Sequence, residues 1–142
     1  MDEARIRVAE ELLREGVYRS RDRQSALQSL TGGAGNCGLG ERAEVVLDLS
    51  PRARELYDRL FSAGLDERST ERFCALMSGW IEEQDALDRK RNHFLKAFRG
   101  RHGSDRTAYA PEILAEFEGG LARIASEEDA ARRRRAEALV DS

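Results

Sequence analysis

Aromatic and aliphatic residues recur every seven positions in the middle of the chain, at Phe73, Trp80, Leu87 and Phe94. Further apolar side chains lie three, four or eight positions from these, so the apolar positions follow the 3.6-residue period of an α-helix. The pattern predicts one long amphipathic helix from about residue 69 to residue 99. A helix of that length needs a second element beside it to cover its apolar stripe.

A second helix is predicted after the polar loop 100–110, because Pro111 stands at a position typical of a first helical turn. The two helices are expected to form an antiparallel hairpin. Beyond Ala125 the apolar stripe gives way to alanines among charges, so residues 126–142 are predicted to be a charged helical extension that projects or frays. The stripe of the second helix consists of Ile113, Leu114, Phe117, Leu121 and Ile124.

Shorter helices are predicted upstream of the hairpin. Ser50 followed by Pro51 is typical of a helix start, and Gly64 is typical of a helix stop. The sequence also predicts a helix at residues 3–18 and a short helix at residues 20–30. The first of these carries Ile6, Ala9, Leu13 and Val17 on one face.

These elements predict an all-α fold, a helical bundle built on a long antiparallel helical hairpin with shorter N-terminal helices. The predicted organisation has N-terminal amphipathic helices at 1–30, a Gly-rich loop and extended connector at 31–49, a helical core at 50–125 and the charged extension at 126–142. Residues 1–30 pack onto this core or onto another molecule. The strand-like run AEVVLDL at 43–49 has no partner strand, which favours an extended connector or a helix end over a sheet.

The chain has 142 residues and a formal net charge of −3, which is the size of one domain with a single core. Its N-terminus lacks the pattern of a secretory signal, and no apolar run is long enough to span a bilayer. Cys37 and Cys74 are too few for a disulfide scaffold and lack C-x-x-C spacing. We therefore expect reduced thiols and a cytoplasmic location.

The glycine run TGGAGNCGLG at 31–40 contains G-x-G-x-x-G at Gly33, Gly35 and Gly38. A dinucleotide site needs a buried strand before such a turn and a helix N-terminus after it. The residues before the run favour a helix, those after it show no clear helix opening, and the Walker signature is absent. We interpret the run as a surface loop and predict no cofactor.

No catalytic or metal site is predicted. Neither His93 nor His102 belongs to a Glu-x-x-His or His-x-x-x-His pair, the spacings that place two metal ligands on one helical face. Carboxylates on the long helix precede basic residues at ion-pair spacing, as Asp85 does Arg89. A small enzyme or ligand binder with an unrecognised site is the third hypothesis for the function.

Basic residues gather between positions 88 and 106, at the end of the first hairpin helix and in its loop. Such cations complement the helix dipole and the acidic start of the next helix, or else they meet phosphates. The overall negative charge favours the first interpretation. The candidate phosphate or nucleic-acid contacts are Arg89, Arg91, Lys96, Arg99, Arg101, His102 and Arg106.

The amphipathic helices exceed what a 142-residue monomer is expected to cover, so the leading hypothesis is a non-enzymatic protein-interaction module or adaptor. It would associate with itself or with another protein. Trp80, Leu87, Phe94 and Phe98 are expected to pack within the hairpin or against that partner. The alternative is a nucleic-acid-binding module that uses the basic cluster at 89–106.

Overall fold

The computed structural model describes residues 2–15 and 39–141, and all regular structure in these ranges is helical. The predicted all-α class is therefore confirmed. None of the described helices is both long and apolar enough to cross a bilayer. The five helices are α1 (Glu3–Glu15), α2 (Leu39–Leu47), α3 (Pro51–Phe61), α4 (Glu67–His102) and α5 (Pro111–Asp141), and a 3-10 turn (Arg106–Ala108) lies between α4 and α5.

Three sequence predictions concern residues outside the described ranges. They are the last turn of the helix at 3–18, including Val17, the short helix at 20–30 and the conformation of the glycine run from 31 to 38, including Cys37. The last two residues of that run are described and helical, since α2 begins at Leu39. The expectation that no helix opens there is wrong.

Helix α3 begins as the sequence predicts. The Ser50 hydroxyl accepts a hydrogen bond from the backbone N–H of Ala53 at 3.3 Å, and Pro51 is the first helical residue. The helix ends differently, at Ser62, which adopts the left-handed conformation with φ 51°. Ala63 follows with φ 58°, so two residues with side chains, and not Gly64, reverse the chain.

The chain forms two compact units. Unit 1 comprises the described residues up to Glu82 together with those from Arg132 onward, and unit 2 comprises Glu83–Ala131. Helices α4 and α5 each contribute residues to both units. In unit 1, α1 and α2 both contact α3. The largest fully buried side chains of unit 1 include Ile6, Leu12, Leu13, Val46, Leu56, Tyr57, Phe73, Met77, Trp80 and Ile81.

Helix α1 packs in cis. Its apolar face is completely buried, including Ile6 and Leu13, and Arg5 donates a hydrogen bond to the carbonyl of Leu60 at 3.1 Å. The core therefore extends upstream of residue 50. The predicted core of 50–125 is too narrow. Part of the core comes from α1, a short amphipathic helix that lies far along the sequence from most of the aromatic residues.

Of the two alternatives for the run 43–49, the structure has the helix end and not the extended connector, because α2 covers Leu39–Leu47. Val46 within the helix is fully buried, and Leu49 just after it is nearly so, whereas Leu47 is 58% exposed. This spacing fits a helix against α3 and not the alternation of a strand. The adjacent valines favour a strand intrinsically, but packing overrides such a weak preference.

The C-terminal extension neither projects nor frays, in contrast to the prediction. Helix α5 continues to Asp141, and Ala136 and Leu139 are buried in unit 1. Arg132 is only 7% exposed, and its guanidinium lies 5.4 Å from the centre of the Trp80 ring. Alanines and arginine stems cover apolar surface that a hydropathy stripe does not reveal.

Unit 2 is the antiparallel hairpin. Contacts that move forward along α4 move backward along α5, from Lys90 with Glu127 to Phe98 with Phe117. Helix α4 ends before Gly103, whose φ of +85° belongs to the left-handed region, and the hydroxyl of Tyr109 donates to the Gly103 carbonyl at 2.6 Å. The loop is thus tied back onto the end of the helix.

Candidate functional site

The four residues predicted for hairpin or partner packing lie in different surroundings. Trp80 belongs to unit 1 and Phe98 to unit 2, and both are completely buried within this chain. Leu87 and Phe94, in unit 2, are half-buried. Trp80 and Phe98 therefore pack internally and present no surface of their own.

Phe94 lies against α5 at a glycine. A Cβ added at Gly120 would lie 2.2 Å from Cζ of the Phe94 ring, whereas a Cβ added at Gly119 would meet nothing within 4 Å. The absence of a side chain at Gly120 lets the ring lie directly on the helix backbone. The two glycines that the sequence places inside α5 thus differ, because only Gly120 permits close helix contact.

An aromatic cluster closes the loop end of unit 2. The ring of Phe98 lies 5.1 Å from that of Phe117 and 5.5 Å from that of Tyr109. His102 contacts Phe98 with a ring separation of 4.6 Å, although His102 itself is exposed. Such offset and edge-to-face contacts stabilise a fixed ring arrangement. The loop end of the hairpin is therefore held by side chains from both helices.

Two arginines of the predicted basic cluster lie over this aromatic cluster. The guanidinium of Arg101 lies 5.8 Å from the Phe98 ring centre, and that of Arg106 lies 5.3 Å from the Phe117 ring centre. Arg106 also donates to Glu118 at 3.0 Å. Cation–π contacts at exposed sites contribute about 0.5–1 kcal/mol each. Arg106 therefore has a structural role at the loop end.

Other cations of the basic cluster are neutralised within unit 2. Arg91 donates to Asp88 at 2.6 Å and to Glu128 at 3.0 Å. Arg89 lies 3.7 Å from Asp85, the pair expected from the sequence. Lys90, adjacent to both arginines, contacts Glu127 at 2.8 Å. These pairs leave fewer cations available for phosphates than the sequence indicates.

Lys96, Arg99 and Arg101 are exposed and make no ion pair within the described residues. Nearby, Asp105 is engaged in the loop, where its carboxylate accepts hydrogen bonds from the Thr107 hydroxyl and from the Thr107 backbone N–H. These bonds lower the pKa of Asp105. The predicted cluster of seven residues thus reduces to these three cations and the exposed His102.

A group of leucines on one side of unit 2 is not separated by the sequence pattern from the apolar stripes of the two helices. Leu95 of α4 follows Arg91 by four residues, while Leu114 and Leu121 of α5 precede Glu128 by fourteen and seven. Because Arg91 bonds Glu128 and the helical period is 3.6 residues, all three leucines lie on the same side of the hairpin. We call Leu95, Leu114 and Leu121 the leucine face.

Each residue of the leucine face is mostly buried but keeps part of its surface exposed. The three residues flank the buried seam of the hairpin, formed by Phe98, Phe117 and Ile124, and do not lie within it. In the sequence they merge with the apolar stripe, which is why they were not distinguished from core residues. The sequence signal that separates the three leucines from the core is their position, which is offset by about one residue from the positions that form the seam.

The main charged cluster of unit 1 is internally bonded. Arg133 of α5 donates to Glu3 at 2.7 and 2.8 Å and to Glu10 at 3.2 Å, and it also bonds Glu137. The hydrogen bond from Arg133 lowers the pKa of Glu3, and the carboxylates raise the pKa of Arg133. A surface cavity of about 420 Å³ borders these groups. Its charges serve to join α1 to α5.

Within the described residues, no group of three or more His, Cys, Asp or Glu side chains is arranged to hold a metal ion. Cys74 is a buried free thiol. Burial raises the pKa of Tyr57 to about 12, and its hydroxyl donates to the Gly64 carbonyl. The hydrogen bond from Tyr57 to Gly64 holds the turn after α3.

Comparisons of the chain with protein-family models, with curated proteins and with solved structures each found no significant match.

Proposed function

We propose that this chain is a helical protein-interaction module and that it binds its partner through the leucine face of unit 2. The observation that supports the proposal is the shared exposure of Leu95, Leu114 and Leu121 on one side of the hairpin. Unit 2 consists of two helix segments and their connection, so it contains no third helix to cover this side.

The hydrophobic effect supplies the driving force. Complete burial of a leucine contributes about 1.5–3 kcal/mol relative to full exposure, so three leucines that are already mostly buried retain together on the order of 1–3 kcal/mol for binding. The aromatic cluster beside them fixes the positions of α4 and α5. A surface that is already ordered loses little conformational entropy when a partner binds.

The proposed role is that of a non-enzymatic adaptor in the cytoplasm. Within each unit the charged residues bond one another, as Arg133 does Glu3 in unit 1 and Arg91 does Glu128 in unit 2, and this favours structural roles for them. The single described cysteine is a buried free thiol, which fits a reducing compartment. An adaptor of this kind acts by binding other protein chains and bringing them together.

Site-specific photocrosslinking tests the proposal. A benzoylphenylalanine at Ala125, four residues beyond Leu121 on the same side of α5, is expected to form a covalent adduct with another protein chain in cells that make the protein. The matched control is benzoylphenylalanine at Ala122. Both alanines are exposed on α5, but Ala122 lies on the side that faces away from α4.

Adducts from Ala125 that disappear when Leu121→Glu is introduced would support the proposal. Equal adducts from the two positions, or none from Ala125, would overturn it. The adducts are counted by mass spectrometry, in which a second copy of the chain and a different protein are equally acceptable partners.

A second candidate function is nucleic-acid binding through Lys96, Arg99 and Arg101. The observation that favours it is that these three exposed cations make no ion pair within the described residues. Arginine and lysine in such positions bind phosphate oxygens and position a protein on a nucleic acid without reading its sequence. Its test is the salt dependence described in the Discussion.

A further inference from the structure

The leucine face has two edges of opposite charge. On α4, Leu95 lies between Arg91 and Arg99, each one helical turn away. On α5, Glu118 precedes Leu121 by three residues and Glu128 follows it by seven. Because Arg91 is already bonded to Asp88 and Glu128, the charges that the two edges offer to a partner are chiefly Arg99 on α4 and Glu118 on α5. The leucines separate these two charges.

We propose that the leucine face binds a second copy of this chain, with α4 of each copy against α5 of the other in a two-fold symmetric arrangement. This inference rests on the proposed function and names the partner for the same surface. A second copy fits because it presents both edges. An acidic partner would suit the α4 edge and repel the α5 edge, and a basic partner would do the reverse.

Sequence spacing favours the same arrangement. If Leu95 meets Leu121 of the partner subunit in antiparallel helices, the next turn toward the loop brings Arg99 to Glu118 of the partner subunit. The symmetry makes each of these contacts occur twice. Four helices then enclose the leucines, as in bundles that form from helical hairpins.

The existing hydrogen bonds leave room for these contacts. Glu118 accepts one hydrogen bond, from Arg106 at 3.0 Å, and an ionised carboxylate has acceptor sites for several donors. Arg99 is exposed and makes no ion pair within the described residues. The new pair therefore adds to the bonds of the hairpin and replaces none of them.

Light scattering coupled to size exclusion measures the association. The chain has a mass of 16.0 kDa, and we expect it to elute with twice that mass, falling toward the monomer on dilution. Leu121→Glu places a carboxylate within the leucine face and is expected to give a monomer. The matched control Ala122→Glu, on the far side of α5, is expected to remain a dimer.

Charge exchange tests the edges with exposed residues that the fold of the hairpin does not bury. Arg99→Glu or Glu118→Arg alone is expected to weaken dimerisation about tenfold, because each exposed pair contributes modestly but occurs twice. The double variant Arg99→Glu/Glu118→Arg is expected to recover most of the affinity. These variants remain informative if Leu121→Glu disturbs folding, which circular dichroism would reveal.

A 16.0 kDa monomer at the highest concentration would overturn the inference. So would a folded Leu121→Glu dimer as stable as the original, or single and double charge variants that associate equally well. Failure of the inference is distinguishable from failure of the proposed function. A monomer whose Ala125 position still crosslinks to a different protein retains the surface and changes only the partner.

Discussion

The ring of Phe94 lies directly on Gly120, so that a Cβ at position 120 would come within 2.2 Å of the ring. We expect Gly120→Ala to lower the free energy of unfolding by about 1–3 kcal/mol, because the ring must move out of a packed position. Gly119→Ala serves as the control and is expected to raise the free energy of unfolding by up to about 1 kcal/mol, since alanine favours a helix. Urea denaturation measures both.

The effect of Gly120→Ala is expected to shrink when Phe94→Leu is also present, because the shorter side chain does not reach the added methyl group. Equal stability of the Gly119→Ala and Gly120→Ala variants would contradict the close contact between ring and helix.

Acid is expected to loosen the bond between Glu3 and Arg133. The pKa of Glu3 in the folded chain lies below its ordinary value of 4.5, because Arg133 donates to the carboxylate. Between the lowered pKa of the folded chain and 4.5, the unfolded chain binds more protons at Glu3 than the folded chain does. The free energy of unfolding therefore rises with pH in this range. The contribution is complete above 4.5 and is lost as pH falls through the folded pKa.

Thermal unfolding from neutral to acidic pH tests this dependence. Glu3→Gln is expected to lower the melting temperature at neutral pH and to flatten the acid branch of the profile. In an Arg133→Met background the same substitution is expected to change little, because its partner is gone. An unaltered acid branch in Glu3→Gln would show that this carboxylate does not contribute.

Ala63 occupies the left-handed region with φ 58°, where a side chain is disfavoured. We expect Ala63→Gly to raise the free energy of unfolding by up to about 1 kcal/mol, after allowance for the greater freedom of glycine in the unfolded chain. Ala75→Gly, at an exposed position inside α4, is expected to lower it by about 1 kcal/mol. Denaturation curves that move in the same direction for both variants would contradict the assigned backbone conformation.

Nucleic-acid binding makes a numerical prediction of its own. If Lys96, Arg99 and Arg101 each contact a phosphate, the affinity for a mixed-sequence duplex falls with a log-log salt slope of about −3. Arg99→Glu together with Arg101→Glu should abolish that binding. Arg89→Glu should reduce it less, because Arg89 is already paired with Asp85. Fluorescence anisotropy across a salt series gives the slope, and a slope near zero would exclude this candidate.

The helices with strong local signals are those that the sequence predicts well. Ser50 and Pro51 mark the start of α3, and the seven-residue recurrence from Phe73 to Phe94 marks α4. Both signals are local, because capping and the helical period depend on residues a few positions apart. Helix α2 has no such signal, since its Val46 is helical because it packs on the rest of unit 1.

The candidate site was harder to predict because its charges are compensated at long range. Lys90 and Arg91 look available in the sequence, yet their carboxylate partners Glu127 and Glu128 lie 37 residues away. The register of the two hairpin helices brings these residues together, and the local pattern of the sequence does not determine that register. The leucine face was missed for the related reason that core and flank share one apolar stripe.

The hydrogen bonds between Glu3 and Arg133 join residues that are 130 positions apart. During synthesis on a ribosome, α1 emerges before α5 and cannot form these bonds until the end of α5 has left the exit tunnel. Unit 2 is a continuous segment with short-range contacts, so we expect it to fold early. Unit 1 then closes after unit 2: α1 packs on α3 as soon as α3 is made, but its ion pair with Arg133 forms only when the last turns of α5 are present.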